Sequence, residues 1–529
     1  MRLRRILIGL FLVIVVGSAL LVTWAIRTTP AVRDTVVDAL NARFDSKVEL
    51  QSLQVEIYPT PRVTGHGLVL RHNGRTDVAP LITLDSFDAN ASIKGLIRSP
   101  LHLKDVKIEG LNVHVPPGGL SPQDKAGDDE PQRPKDLPPP VIVAPSIPPP
   151  PSAVLIDSIH SKRARLEIES RRANRLPRVF DIEDLVMRGF GRAEGAEFHA
   201  GLVNPIPRGR IETSGNFGPW NQEEPDLTPI KGEYAFKNAN LNDIKGIGGT
   251  LSSVGKYSGV LRRVDVEGQT ETPNFSIDLA GRQVPLTTQF KAIVDGTNGD
   301  TWLERVEAKL SRTTIQARGA VVRTRNVKGR RVSLDLQIDH GYIEDLLRLA
   351  VKATKNPMLG TIDLKTKFLL PQGEADVVDR LQLDGTFKLV QAKFTNYDVQ
   401  RKINLLSSRG RGDEDDDGSG ESVVSNLEGK FVLRDAKLTF SSLKFLVPGA
   451  IIDLAGTYGL RDEQMDFKGY FLADATLADM THGMKSILAR LAQPFFRRPG
   501  GGSKIPIRIS GPRSNPQFGL DTKRILNKE

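Results

Sequence analysis

Along most of this chain apolar residues recur at every second position, the mark of strands that turn one face to a core. The alternation carries a repeated interruption. Val48 and Leu50 lead to Leu53, Val55 and Ile57. Leu101 and Leu103 lead to Val106 and Ile108, then to Leu111, Val113 and Val115. Phe180 and Ile182 lead to Leu185 and Met187. Phe431 and Leu433 lead to Ala436, Leu438 and Phe440, then to Leu443, Phe445 and Val447. A strict period of two would throw each second set onto the opposite face, and a bulge or corner at the interruption restores it. Lys104–Asp105, Glu109–Gly110, Arg434–Asp435 and Ser441–Ser442 are the predicted places. Polar and Gly residues suit the exposed backbone and unusual dihedrals of a bulge. The expected product is a bent antiparallel sheet with one apolar and one polar face. The pattern fits both a sandwich closed on itself and a curled sheet with an open apolar trough. About 25–30 strands are expected after residue 152, if each is short.

Three stretches break the period of two. Val32, Val36, Leu40 and Phe44 predict a helix over Ala31–Phe44. Ile343, Leu346, Leu347 and Ala350 predict one over Tyr342–Thr354. Leu477, Met480, Met484, Ile487, Leu488 and Leu491 predict another over Asp474–Phe496, each with apolar residues on one face. Ahead of all three, Ile6–Ile26 is a run of 21 uncharged, mostly apolar residues. As a helix it spans about 31 Å, a bilayer core. Arg2, Arg4 and Arg5 precede it and Trp24 sits near its far end, so the N-terminus is expected in the cytoplasm with the bulk across the membrane. A cleaved signal peptide has a shorter apolar core and a small-residue cleavage site, so the run reads as a single-pass anchor.

Low-complexity stretches divide the remainder. Thirteen of the 34 prolines fall in residues 116–151, which predicts an extended linker with no packed core. Residues 409–421 (RGRGDEDDDGSGE) read as a solvated acidic loop, since their spacing departs from a calcium-binding loop. The expected organisation is therefore a tip and anchor at 1–27, a β region at 28–115, the linker at 116–151 and a second β domain at 152–529.

Net charge is +10 over 529 residues, and it sits at the two ends. Three Arg lie within residues 1–5, and residues 485–529 hold ten Lys and Arg against two acids. With a nearly neutral body, nucleic acid is not the expected partner. The basic C-terminal region suits a solvated tail or an anionic lipid surface. Lys485, Arg490, Phe495, Phe496, Arg497 and Arg498 combine cations with aromatic rings and are the candidate membrane-contact residues.

Candidate chemistry is sparse. The absence of Cys excludes disulfides, thiolate metal sites and a Cys nucleophile. The eight His show no metal-ligand spacing, and His102 and His114 fall on the polar phase of a strand, where exposure is expected. Ser441 and Lys444 match S-x-x-K by count but sit in a strand pattern. Gly255–Lys256 lacks the remainder of a phosphate loop, and Gly246–Gly249 follows no βα unit. The protein is not expected to be an enzyme; no catalytic residue, cofactor or metal is expected.

The segment ALNARFDSKVELQSLQVEIYPTPRVTGHGLVLRH (39–72), then LHLKDVKIEGLNVHVP (101–116), resembles the N-terminal region of the AsmA-like proteins of the bacterial envelope, relatives of TamB- and YhdP-type proteins. LEGKFVLRDAKLTFSSLKFLVPGAIIDLAGTYGL (427–460) and IPIRISGPRSNPQFGLD (505–521) are similar to the family's closing region. The Pro-rich insert and the acidic loop depart from the family pattern. The resemblance implies a mainly β protein: one transmembrane helix, then an elongated, curled antiparallel β-groove with a few short amphipathic helices. It also implies binding of phospholipids or other acyl lipids, transport of lipid between envelope membranes, and a role in outer-membrane integrity. The inner membrane would hold the anchor, and the outer membrane or its assembly machinery would be a further partner. Leu53, Val55, Leu103, Val106, Leu438, Phe440, Leu443 and Phe445 are the candidate groove residues. An alternative is a scaffold for outer-membrane proteins, holding strands by edge pairing.

Overall fold

The computed structural model describes residues 46–56, 61–72, 79–80, 82–92, 100–115, 154–168, 178–221, 225–280, 282–297, 299–323, 329–413, 420, 422–476, 498 and 501–521. Within them lie 25 strands, hydrogen-bonded as one sheet, and three helices. The fold is mainly β, as the alternation predicts. The anchor at 6–26, the helix at 31–44, the linker at 116–151 and residues 477–496 of the last predicted helix lie outside the described residues. Among the described residues no helix is long and apolar enough to cross a membrane.

The chain groups into two compact units. The first comprises residues up to Asn238 with Ser253–Gly268 and Ile293–Thr301. Here β1 (Ser46–Glu56), β2 (Arg62–His72) and β3 (Ile82–Ala91) form an antiparallel meander. β3 is followed in the sheet by β4 (Leu101–Glu109) and β5 (Asn112–Val115), laid end to end. Both then pair with the 15-residue β6 (Val154–Ile168), and both pairings are parallel. This corrects the expectation of a purely antiparallel sheet. A parallel neighbour needs a long crossover, and residues 116–153 supply one. β7 (Arg178–Phe190), β8 (Ala196–Pro205) and β9 (Arg208–Phe217) resume the meander.

Seven further strands follow: β10 (Pro229–Asn240), β11 (Ile247–Gly248), β12 (Thr250–Val260), β13 (Arg263–Ile277), β14 (Val284–Val294), β15 (Thr301–Leu310) and β16 (Thr313–Val322). The second unit comprises Ala239–Ser252, Gln269–Ala292 and Trp302–Glu529. Its later strands are β17 (Arg331–Tyr342), β18 (Met358–Leu370), β19 (Gln382–Phe394), β20 (Ser425–Arg434), β21 (Lys437–Val447), β22 (Ala450–Gly459), β23 (Gln464–Ala473), β24 (Ser503–Pro512) and β25 (Gln517–Leu520), each antiparallel to the next. Residues 153–520 thus hold twenty described strands, fewer than expected, because many run to ten residues or more.

The predicted interruptions have different origins. At Lys104 and at Ser441–Ser442 the register shifts by one residue, and both are bulges. Glu109–Gly110 is the corner between β4 and β5, with Gly110 at φ +66°. Arg434–Asp435 is neither. Arg434 pairs with Lys437 across a two-residue hairpin, with Asp435 and Ala436 at φ +50° and +54°. That conformation defines a type I′ turn, and Ala at its second position hid the signal.

Further bulges lie in neighbouring strands. Between Ile338 and Gly341 of β17 two residues face one of β18, and the same excess recurs in β19 at Val390–Gln391 against β20. His340 (φ +54°) and Gln391 (φ +55°) carry the unusual dihedral. In both, an Asx side chain on the next strand accepts the bulge N–H: Asp363 from His340 at 2.8 Å and Asn426 from Gln391 at 3.2 Å. The left-handed conformation costs a non-Gly residue energy, and this hydrogen bond offsets part of it.

The helices are α1 (Ile343–Ala350), α2 (Val377–Arg380) and α3 (Tyr397–Arg411). α1 falls inside its predicted span. α3 is absent from the sequence expectation, and its last turn takes the first residues of the stretch read as an acidic loop. The buried face of α3 is polar and small: Gln400, Asn404, Ser407, Ser408 and Gly410, with Ile403 its one large apolar member. These residues bond to the sheet region. Gln400 Nε2 donates to Val423 O and Val423 N to Asn404 Oδ1, each at 3.0 Å, and Ser407 Oγ donates to Pro448 O at 2.7 Å. An Asn396 N-cap and a left-handed Gly412 bound the helix.

Candidate functional site

In the second unit period-two alternation across bulges collects apolar side chains on one face. Leu364 pairs with Phe387, Leu389 with Leu427, Leu427 with Phe445, Phe445 with Ile452, and Ile452 with Phe471. The candidates Leu438, Phe440, Leu443 and Phe445 all stand on β21, and the Ser441–Ser442 bulge keeps them on this face. One end of the face is closed. Phe445, Val447, Ile452 and Phe471 are buried in a cluster with Ile403 of α3, and Val399 and Leu406 pack against it. Ile343 and Leu346 of α1 pack on a second cluster, Ile338, Ile362, Leu389 and Ala392.

Beyond the buried cluster the face stays partly open, with Lys402 of α3 reaching to 5.4 Å from the centroid of the Phe518 ring. Leu438, Phe440, Leu443, Phe387, Ile507 and Ile509 are half-buried. On the four-residue β25, Phe518 and Leu520 are 60% and 56% exposed, beside Ile509 and Ile507 in register. Among the described residues β25 pairs with β24 alone. Rings approach one another where glycine leaves room. Phe387 pairs with Gly429, and a Cβ there would come within 2.9 Å of the ring. Phe387 and Phe440 meet edge-on at 6.3 Å between centroids.

The first-unit candidates stand apart from these. Leu103 and Val106 share a face because of the Lys104 bulge; Val106 is buried with Ala89 and Ile159, and Leu103 packs on that cluster. Leu53 is half-buried on β1 opposite Gly65, outside that cluster. Val55 lies on β1, its side chain outside the described ones. Lys485, Arg490, Phe495, Phe496 and Arg497 also lie outside the described residues. Arg498 is described and sits in a tight turn, its N–H donating to Gly502 O at 3.2 Å.

His102 bonds Asp157 at 3.0 Å and is partly exposed, but His114 is only 5% exposed, against expectation. Its strand of four residues runs between the longer β3 and β6, whose side chains flank it. Gln337 and Glu428 mark the other, polar face of β17–β21.

Two buried polar clusters lie off the apolar face. At the start of α1 the fully buried Asp345 accepts from Arg312 N at 3.1 Å and Thr313 Oγ1 at 3.0 Å, and Glu344 pairs with the Arg312 guanidinium at 2.5 Å. In the first unit Asp226 and Asp300 are buried near Asp295. Burial pushes the Asp295 carboxyl above its ordinary value; bonds from Thr297 oppose this, and the charges of Asp300 and Asp226 add to it. Arg262 Nη1 lies 3.6 Å from Asp226. Among the described residues no group of three or more His, Asp or Glu is arranged to hold a metal ion.

Comparison with protein-family models, with curated proteins and with solved structures finds no match.

Proposed function

We propose that this chain is an AsmA-like envelope protein, held in the inner membrane by Ile6–Ile26, whose periplasmic β-sheet binds acyl chains in transport of phospholipid between envelope membranes. The observation that carries this reading is the half-open apolar face of β19–β25, running from Phe387 past Phe440 to the exposed Phe518 and Leu520. A protein surface leaves so many large apolar groups adjacent when something apolar covers them. Each methylene buried there contributes roughly 0.8 kcal/mol. A wall of repeated Leu, Ile and Phe offers no unique stopping point, which suits sliding more than storage. Native mass spectrometry of the full chain tests the reading. Co-purifying phospholipid is the expected result; lipid-free protein from lipid-rich membranes counts against it.

One observation favours a second reading, a scaffold for outer-membrane proteins. Among the described residues β25 is a short strand paired on one side, with two exposed apolar side chains, which is where an extended partner strand adds. Crosslinks from residue 518 to unfolded barrel proteins, with no bound lipid, would select it.

A further inference from the structure

A cleft of about 440 Å³ lies over β17–β21, lined chiefly by the polar phase of these strands and also by Ile338, Leu364 and Phe387 of the alternate phase. Thr386 stands at its centre. Its register partners are Lys365 on β18 and Lys430 on β20, so one cation flanks it on each side at about 5 Å between backbones. Lys388 follows on the same face of β19, about 7 Å along the strand. Ser442 pairs with Lys430 and adds a second hydroxyl.

Three carboxylates also line the cleft; Asp363 and Glu428 are the register partners of Lys388, and Lys444 is a fourth lysine of the lining. Glu428 lies 3.9 Å from Lys444. Asp363 accepts the His340 N–H at 2.8 Å, with the His340 ring at 3.7 Å. Asp339 takes both contacts of the Gln337 amide, at 2.8 and 3.0 Å. Among the described residues Lys365, Lys388 and Lys430 have no carboxylate within ion-pair distance. Lys365 and Lys430, the two register partners of Thr386, repel each other across its hydroxyl until an anion sits between them, with Lys388 next along the strand. A dianion with several oxygens gains most, since each ammonium and hydroxyl can donate to a separate oxygen.

We infer that this cleft is a binding site for a phosphate group, seated over Thr386 between Lys365, Lys388 and Lys430. The phosphate belongs to a lipid headgroup or to a soluble phosphate compound. Because Lys365, Thr386, Lys388 and Lys430 belong to the polar phase of their strands, the inference stands independently of acyl-chain binding.

The test is equilibrium dialysis of the full chain, in a neutral detergent at low salt, against labelled inorganic phosphate. Saturable binding is expected. Lys365→Gln and Lys430→Gln singly should weaken it about threefold, and together about tenfold or more, while Thr386→Val should weaken it about threefold. Arg508→Gln, remote from the cleft and paired with Asp466, should leave it within about twofold. The three cleft side chains changed in these variants are exposed, and unchanged circular dichroism checks the fold. Flotation with phosphatidylglycerol vesicles separates the sources. Lysine-dependent flotation displaced by phosphate assigns a headgroup; phosphate binding with flotation indifferent to these lysines assigns a soluble compound. Absence of saturable phosphate binding, or binding equal in wild type and the double variant, overturns the site.

Discussion

The rings of Phe440 and Phe467 lie 5.9 Å apart across Gly456, which is the register partner of both. Two strands separated by a third stand about 9.6 Å apart, so aromatic side chains meet over that distance only where the middle strand carries no side chain. Gly429 is the register partner of Phe387 and of Leu443, and leaves a gap of the same kind between their strands. The apolar face therefore carries a cluster of rings tilted or edge-on to one another across several strands.

Filling one of these gaps should destabilise the second unit. A Cβ at Gly456 would lie 2.2 Å from Asp466 O and 2.6 Å from Phe467 Cα, whereas one at Gly519 meets nothing within 4 Å. Gly456→Ala is expected to cost about 1–3 kcal/mol, read as a lower urea midpoint. Gly519→Ala should leave the midpoint in place.

Lipid binding should respond to the open part of the face and not to the closed part. Phe440 and Leu443 are half-buried, while Phe445 is 9% exposed beneath α3. Phe440→Arg with Leu443→Arg is expected to remove co-purifying lipid from a folded chain. Phe445→Arg should instead unfold the unit, because it buries a charge. Retained lipid in the folded double variant would reject the acyl-binding face.

Asp345 is a structural acceptor. Asp345→Ala leaves the buried Thr313 hydroxyl and the Arg312 N–H without this acceptor, at an expected cost of about 1–3 kcal/mol. Asp345→Asn keeps an oxygen and should recover part of this. Equal midpoints for wild type and Asp345→Ala in chemical denaturation would refute the assignment.

Stability should depend on pH through Asp295. Burial raises its carboxyl above the unfolded value, so the folded chain holds that proton more tightly. The resulting stabilisation is complete below the unfolded pKa and is lost as pH rises through the raised one. Asp300, Asp226 and the Arg262 guanidinium are the charged groups around it. Asp295→Asn keeps the acceptor oxygen toward Thr297 and cannot ionise. Its thermal midpoint should match wild type near about pH 4 and exceed it at neutral pH. Parallel curves would contradict this.

Much of the sheet was legible because its devices are local. The polar pair Ser441–Ser442 between two apolar alternations marks a bulge or a corner, which keeps Leu438 and Leu443 on one face, and in the structure it is a bulge. The same spacing at Arg434–Asp435 is a hairpin, because a turn and a bulge both interrupt the period and Ala436 is not a turn residue. α3 was hidden because its buried side is held by hydrogen bonds from Gln400, Asn404 and Ser407, and apolar periodicity cannot report those. Of the candidate groove residues, the pattern found those of β21 but not Phe387, Phe467, Phe518 or Leu520, whose membership depends on pairing across strands.

Period-two alternation is a property of one strand's backbone, so the residues alone determined that the chain is mainly β and which side of each strand is apolar. Which strands adjoin, the parallel seating of β4 and β5 on β6, and where α3 closes the apolar face are set by contacts between residues distant in sequence. Only the tertiary structure decided those, and with them which large side chains are sealed and which remain open.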